Sequence, residues 1–255
     1  MKILVSPAKK LDFETEYLES NSETTTPRFV TESNKIAKHM KSLTPSDLSK
    51  LMKLSQNLAD LNYKRFQDFK SKANTTLAKP AVFAFNGDTY TGLDIKSFKP
   101  VELKRAQNQL RILSGLYGIL RPLDLIQPYR LEMGTKLKFE SYKNLYDFWG
   151  NDVTQALNEE LKKDELVVNC ASNEYFHVIK PKELKGKLIT PVFKENKNGE
   201  LKIISFNAKK ARGMMARYII KNNIKDVEGI KKFDLDGYSF DPNNKAKDGE
   251  ILFTR

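Results

Sequence analysis

Glycine and arginine are concentrated in one apolar segment, residues 110–134, where they could bind phosphate. Gly115 and Gly118 can form a tight hairpin whose amide N–H groups point outward, because glycine adopts backbone angles that other residues avoid. Three arginines flank this hairpin: Arg111, Arg121 and Arg130. The segment is therefore a candidate phosphate cradle. A helix that ends in a C-cap glycine and an ordinary turn would give the same pattern.

Two further groups of cations could bind an anion. Lys209, Lys210 and Arg212 open a basic helix, where positive charge opposes the helix dipole and is best explained by an anion bound there. Lys9 and Lys10 follow the first apolar run, and loops at the carboxyl ends of strands often form ligand crevices. A solvated basic face is the alternative for both groups.

Acidic side chains within these basic motifs keep an enzyme hypothesis open. Asp88, Glu132 and Glu174 are the candidate catalytic residues, because carboxylates near cations serve acid–base catalysis or bind a divalent metal. An internal ion pair of Glu132 with Arg130 or Arg121 is the structural alternative. The chain contains no Walker A motif, no G-x-G-x-x-G fingerprint and no catalytic-triad signature.

Cysteine and histidine are too few for a zinc-type site. The chain has one cysteine, Cys170, and two histidines, so we expect no such metal site and no cofactor, although carboxylates alone could bind a metal. A single cysteine excludes an internal disulfide and fits a reducing cytoplasm. Because Cys170 lies in an apolar strand pattern, we expect a buried and inert thiol.

The overall charge favours a polyanionic partner. The formal net charge is +12 over 255 residues, which is typical of proteins that bind nucleic acid, nucleotides or anionic surfaces. A lysine-rich surface that only maintains solubility is the alternative. No run of about 18 apolar residues is present, so we expect no membrane-spanning helix and no membrane partner. The first residues read as a strand and not as a signal peptide, which predicts a cytoplasmic protein.

The elements that position these residues mix strands and helices without a regular βαβ rhythm. We predict an α+β (mixed α/β) fold in a single compact domain, residues 1–255, with a mixed sheet, surrounding helices and a basic cleft. Predicted strands cover 2–6, 80–85, 165–170, 187–194, 200–206 and 250–254. Predicted helices cover 44–69 (with Thr44 as N-cap), 101–113, 144–162, 172–179 and 208–222, and a surface loop covers 19–27.

Seven motifs occur in an order that resembles the YaaA peroxide-stress family of bacteria. They are SPAKKLDF at 6–13, FNGDTYTGL at 85–93, LSGLYGILRPLDLIQPYRLEMG at 113–134, DFWG at 147–150, ASNEYF at 171–176, KPKEL at 180–184 and KIISFNAKKARGMMARYII at 202–220. Each motif alone is weak, whereas the ordered set is specific. Residues 14–80 and the tail past about 225 match loosely.

The resemblance implies a cytoplasmic protein that helps cells survive hydrogen peroxide and keeps free intracellular iron low. It also implies a compact α/β body with a positively charged cleft that binds DNA. A helix-hairpin-helix-like element would fall at about 101–128, around Gly115 and Gly118. Such hairpins usually place one residue between their glycines, whereas Leu116 and Tyr117 intervene here. The G-x-x-G spacing is also similar to the backbone clamp of KH domains.

The leading hypothesis is a DNA-binding peroxide-stress protein that limits iron-driven oxidative damage. It would hold duplex DNA, bent or partly unpaired, through phosphate contacts that read no sequence. The candidate DNA contacts are Lys9, Lys10, Arg111, Gly115, Gly118, Arg121, Arg130, Lys209, Lys210 and Arg212. An enzyme acting on a nucleotide or phosphorylated substrate is the alternative, and direct iron binding by carboxylates is a third hypothesis. The DNA hypothesis requires these cations to converge on one groove.

Overall fold

A mostly parallel sheet forms the centre of the protein, in a computed structural model that describes residues 1–15, 23–72, 77–243 and 247–255. The strands are β1 (Lys2–Val5), β2 (Lys10–Leu11), β3 (Lys79–Pro80), β4 (Phe85–Asn86), β5 (Leu110–Ser114), β6 (Gly118–Leu120), β7 (Leu125–Ile126), β8 (Leu166–Cys170), β9 (Lys187–Lys197), β10 (Glu200–Lys202), β11 (Ser239–Phe240) and β12 (Glu250–Thr254).

Helices surround the sheet. They are α1 (Val30–Lys41), α2 (Pro45–Met52), α3 (Gln56–Asp68), α4 (Ala81–Ala84), α5 (Asp88–Leu93), α6 (Pro100–Gln109), α7 (Leu145–Trp149), α8 (Asp152–Glu159), α9 (Asn173–Phe176), α10 (Ser205–Lys221) and α11 (Val227–Lys231). Short 3₁₀ helices lie at Ile95–Ser97, Pro181–Glu183 and Leu235–Gly237. In the described part of the chain, no helix has the length and apolar character needed to cross a membrane.

Strand β1 lies at the centre of the sheet, whose order is β11-β12-β9-β8-β1-β5-β6. It pairs in parallel with β5 on one side and with β8 on the other. Strands β8, β9 and β12 are also parallel, whereas β6, β10 and β11 are antiparallel to their neighbours. The parallel strands therefore end at one edge, the carboxyl edge, and begin at the other, the amino edge. Because the connections leave β1 toward both sides, the carboxyl edge contains a switch point of the kind where ligands bind.

The predicted mixed α/β fold in a single compact domain is confirmed. Strand β1 is buried throughout, and β8 is buried from its second residue. Continuous apolar runs of this kind are expected where helices cover both faces of a parallel sheet. The predicted strands near 2–6, 165–170 and 250–254 are present, and Thr44 caps α2 in a capping box with Asp47. Part of the loop predicted at 19–27 lies outside the described residues.

The segment expected to hold a helix-hairpin-helix-like element, about 101–128, has a different structure. Helix α6 ends at Gln109, and the next residues form β5, which pairs with β6 in an antiparallel hairpin. Every residue of β5 is buried, and a short, wholly buried strand cannot be told from a buried helix by periodicity. The helix predicted over 101–113 is therefore wrong from 110 onward. The strand predicted over 80–85 is also wrong over 81–84, which form α4, whereas Pro80 and Phe85 belong to the short strands β3 and β4.

Helices α5 and α10 cross in backbone contact at a pair of glycines. A Cβ atom added to Gly213 would lie 1.9 Å from the Thr89 carbonyl oxygen. One added to Gly92 would lie 2.0 Å from the Lys210 carbonyl oxygen. No side chain fits at either position, and this crossing fixes α5 against the helix that carries Arg212.

Candidate nucleic-acid interface

A cleft of about 670 Å³ opens beside the loop that follows β1. Four exposed lysines line it: Lys9, Lys50, Lys53 and Lys136. Three carboxylates and two apolar side chains complete much of the wall: Asp47, Glu132, Glu174, Leu51 and Met52. The cleft thus combines cationic, acidic and apolar groups.

Glu132 links two of the predicted cations. The Lys9 ammonium lies 3.1 Å from Glu132 Oε1, and Arg130 Nη2 donates to the same oxygen at 3.2 Å. The internal Arg130–Glu132 ion pair is therefore present. Among the described residues, the buried second oxygen, Oε2, has no hydrogen-bond partner.

Buried tyrosines lie near the carboxyl ends of the central strands. The Tyr90 hydroxyl donates to the Ser6 carbonyl at 3.1 Å, and the Tyr129 hydroxyl is hydrogen-bonded to Ser114 Oγ at 2.7 Å. Burial raises the pKa of Tyr90, Tyr129 and Tyr175. The three phenols are therefore neutral at physiological pH and contribute no charge to this edge of the sheet. They are too buried to stack on bases.

Arg212 is the predicted cation with the clearest capacity for an external anion. Burial lowers the pKa of this partly buried guanidinium, and the nearby Cys170 acts in the opposite direction. Within the described ranges, no hydrogen bond or ion pair joins Arg212 to another residue. Of its neighbours on α10, Lys209 is exposed and Lys210 lies 3.4 Å from Asp236. A desolvated cation without a partner is a favourable place for an anion.

Of the other residues predicted near this edge, only some line the cleft. Lys10 is exposed in β2, and Asp88 is exposed in the first turn of α5, outside the lining of the cleft. Glu174 lines the cleft, and its Oε1 accepts a hydrogen bond from the Gly134 amide at 3.1 Å. Of the three candidate catalytic acids, the cleft therefore brings together Glu132 and Glu174.

Arg111 lies at the amino edge and is fully used within the protein. Its Nε donates to Glu160 Oε2 at 2.9 Å, and its Nη1 donates to the carbonyls of Gln107 and Leu110. Lys2 Nζ donates to the same Glu160 oxygen at 2.6 Å. The Arg111 side chain is 5% exposed, so it is not accessible to an external phosphate.

Arg121 follows β6 and so also lies at the amino edge. Its guanidinium pairs with the buried Asp124 at 3.0 Å and donates to the Thr26 carbonyl at 3.1 Å. Asp124 Oδ1 also accepts a hydrogen bond from Thr25 at 2.6 Å. The cations expected to converge are therefore split between two edges, and Arg121 stabilises the turn after β6.

The turn from Gly115 to Gly118 is enclosed, so it cannot serve as an exposed phosphate cradle. All of its residues are buried. The Gly115 carbonyl accepts a hydrogen bond from Trp149 Nε1 at 3.1 Å. Gly118 has φ +68, and a Cβ there would lie 2.9 Å from the Trp149 ring. Gly118 is therefore needed for packing against the indole, whereas Gly115 is needed for the close approach of the Leu131 carbonyl oxygen, which would lie 2.4 Å from an added Cβ.

Sequence reasoning missed Lys50, Lys53 and Lys136, which line the cleft. Lys50 and Lys53 lie at the end of α2, where Lys53 has the left-handed conformation of a C-cap. Their type and spacing resemble those of any solvated helix face, so only the fold identifies them. Lys136 lies two residues beyond the 113–134 motif, and that proximity was the one available signal.

The Cys170 thiol is expected to be inert toward hydrogen peroxide. Burial raises its pKa to about 12, with Arg212 acting in the opposite direction, and the thiolate is the form that peroxide oxidises. A disulfide reagent should release negligible colour from the native protein and one equivalent after denaturation in urea. Rapid release from the native protein would contradict the buried position. Among the described residues, no group of three or more His, Cys, Asp or Glu side chains is placed to hold a metal ion.

Comparison with known proteins identifies the family. The model of the family described as peroxide stress protein YaaA matches residues 1–244. The chain belongs to this family. A UPF0246 protein of Flavobacterium johnsoniae is 54% identical over 255 residues, covering all of both chains. One of Saccharophagus degradans is 54% identical over 258 residues, and one of Aliivibrio fischeri is 55% identical over 242, covering 94% of this chain and 93% of the relative. The family name associates the chain with peroxide stress.

Proposed function

We propose that this member of the peroxide-stress family binds DNA through the cleft at the carboxyl edge, with little sequence selectivity. The observation that carries the proposal is that four exposed lysines line one concave surface. Arg212 does not line this cleft, but it is a desolvated cation without an ion pair to a described residue, which an external anion would satisfy. Protection of DNA from iron-driven damage is the role that we propose for this binding.

The cations of the cleft do not contribute equally. Lys9 and Arg130 already face the Glu132 carboxylate, so a phosphate gains less from them. Lys50, Lys53 and Lys136 have no salt bridge to a described residue and are the main phosphate contacts. Contacts of this kind position a strand without reading its sequence, and we expect a dissociation constant of about 1 µM or weaker at physiological salt.

Replacing both Lys53 and Lys136 with alanine is expected to weaken binding and flatten its salt dependence. Each phosphate contact contributes about −0.9 to the slope of log K against log salt, so the slope should become less negative by about 2. Fluorescence anisotropy of a labelled duplex between about 50 and 200 mM salt measures this slope. Lys163→Ala removes an exposed lysine at the amino edge and is the matched control.

Two results would contradict the proposal. The first is a salt-independent dissociation constant for the unaltered protein. The second is an equal change in slope for the control and the double variant, which would place the phosphate contacts elsewhere on the surface.

Catalysis on a nucleotide or phosphorylated substrate is the second candidate. It is favoured by the presence of Glu132 and Glu174 in the same cleft. It ranks lower because one oxygen of each carboxylate already accepts a hydrogen bond from within the protein. Glu132 accepts from Arg130, and Glu174 accepts from the Gly134 amide. Asp88, the third candidate acid, does not line the cleft.

A further inference from the structure

The unpartnered oxygen of Glu132 points to a more specific ligand than a phosphate backbone. Its Oε1 faces Lys9 and Arg130, whereas Oε2 is buried and has no partner in the described part of the chain. A buried carboxylate oxygen without a hydrogen bond is costly. Phosphate cannot satisfy it, because phosphate oxygens are acceptors. The matching group is a hydrogen-bond donor.

A small recess beside Glu132 limits the size of that donor. The recess is lined by Pro7, Ala8, Lys9, Tyr129, Arg130, Leu131, Glu132 and Tyr175, and its volume is about 10 Å³. That volume suits one water molecule or one amino or hydroxyl group. Lys9 and Glu132 line both the recess and the larger cleft, so the recess adjoins the cleft beside this ion pair.

The larger cleft is large enough for a single nucleotide. Its volume of about 670 Å³ lies in the range of about 300–1,000 Å³ for small-molecule sites. Leu51 and Met52 supply apolar lining, and four exposed lysines line the same cleft. A base within a duplex engages its Watson–Crick donors with its partner base, so an unpaired nucleotide is the unit that can offer them to the cleft.

We propose that the cleft receives one unpaired nucleotide unit and that Glu132 Oε2 accepts a hydrogen bond from its amino, imino or hydroxyl group. The lysines at the opening contact its phosphates. This inference rests on the proposed DNA-binding function and adds a preference for DNA that contains an unpaired nucleotide.

The test compares a blunt duplex with the same duplex carrying a single-nucleotide bulge. The unaltered protein should bind the bulged duplex about tenfold tighter, as expected for one hydrogen bond to a charged group. Glu132→Leu removes both acceptor oxygens and should abolish this ratio, while blunt-duplex affinity should rise because Lys9 and Arg130 become free for phosphate. Glu132→Gln keeps one acceptor and should retain part of the ratio. Glu183→Gln removes an exposed carboxylate at the amino edge and should retain all of it.

The outcomes separate the two proposals. Equal affinity of the unaltered protein for both duplexes overturns the nucleotide inference, while salt-dependent binding to both still supports DNA binding. Salt-independent or absent binding overturns both. If the ratio is unchanged in both Glu132→Leu and Glu132→Gln, Oε2 accepts a hydrogen bond from water only, and the inference is again overturned. If Glu132→Leu does not fold, a ratio unchanged in Glu132→Gln overturns it.

Titration calorimetry with deoxycytidine monophosphate identifies the source of the unit. Binding that Glu132→Leu loses indicates that a free nucleotide suffices, whereas binding to bulged DNA alone indicates that the strand supplies it. Mononucleotide binding that is equal in the unaltered protein and both Glu132 variants would contradict the role of Oε2.

Discussion

Replacing Glu160 with alanine is expected to lower the free energy of unfolding by about 3–5 kcal/mol. Glu160 accepts hydrogen bonds from Lys2 and Arg111, whose side chains are 11% and 5% exposed. Removing the carboxylate leaves two largely buried cations without their shared partner. Burial alone would raise the pKa of Glu160, but its hydrogen bonds and ion pairs with Arg111 and Lys2 outweigh that effect and lower it.

Urea denaturation of the variant measures this loss, and Glu159→Ala is a close control. Glu159 pairs with Arg28 on the surface, where an ion pair contributes about 0–1 kcal/mol. Because the pKa of Glu160 is lowered in the folded protein, its contribution is present above the ordinary glutamate pKa and is lost as the pH falls through the folded value. The difference between the unaltered protein and Glu160→Ala should shrink accordingly in acid. Equal stability of the Glu160→Ala and Glu159→Ala variants at neutral pH would show that the ion pairs of Glu160 with Lys2 and Arg111 are not buried.

Replacing Gly213 with alanine is expected to destabilise the protein by about 2 kcal/mol or more. The new methyl group would lie 1.9 Å from the Thr89 carbonyl oxygen, so α5 and α10 would have to separate. In an open helix the same change stabilises, by about 1 kcal/mol. The sign of the change therefore tests whether the two backbones touch.

Thermal or urea unfolding gives that sign, and Lys209→Ala in the same helix is the control. Lys209 is exposed, so its replacement should change stability by no more than about 0.5 kcal/mol. A Gly213→Ala variant as stable as the unaltered protein would contradict the close crossing. Because α10 carries Arg212, a destabilising result should also be accompanied by weaker DNA binding.

Much of the fold was predictable where one local signal dominated. The run Lys2–Val5 and the run Leu166–Cys170 are apolar and short, and Thr44 with Asp47 forms a capping box that is legible in the sequence. Strand β5 was not predictable, because it follows α6 without a breaker and is buried on both faces. It forms a strand because it pairs with β1, which is far away in the sequence, and with β6, which follows across a turn.

The site was predictable only in part, because residue type does not reveal which edge of a sheet a side chain faces. Lys9 follows β1, as its place after the first apolar run indicated, and it lines the cleft. Arg111 and Arg121 have the same charge but lie at the opposite edge, where Glu160 and Asp124 hold them. Their location depends on strand direction: β6 is antiparallel to β5 and carries the chain away from the cleft.

The packing of Trp149 against Gly115 and Gly118 has a practical consequence. The chain contains one tryptophan, and this indole is fully buried and donates its N–H to a turn carbonyl. Its fluorescence is therefore a natural optical reporter of that turn, with no label needed. A red shift in emission would signal that solvent has reached the junction of the β5–β6 hairpin and α7.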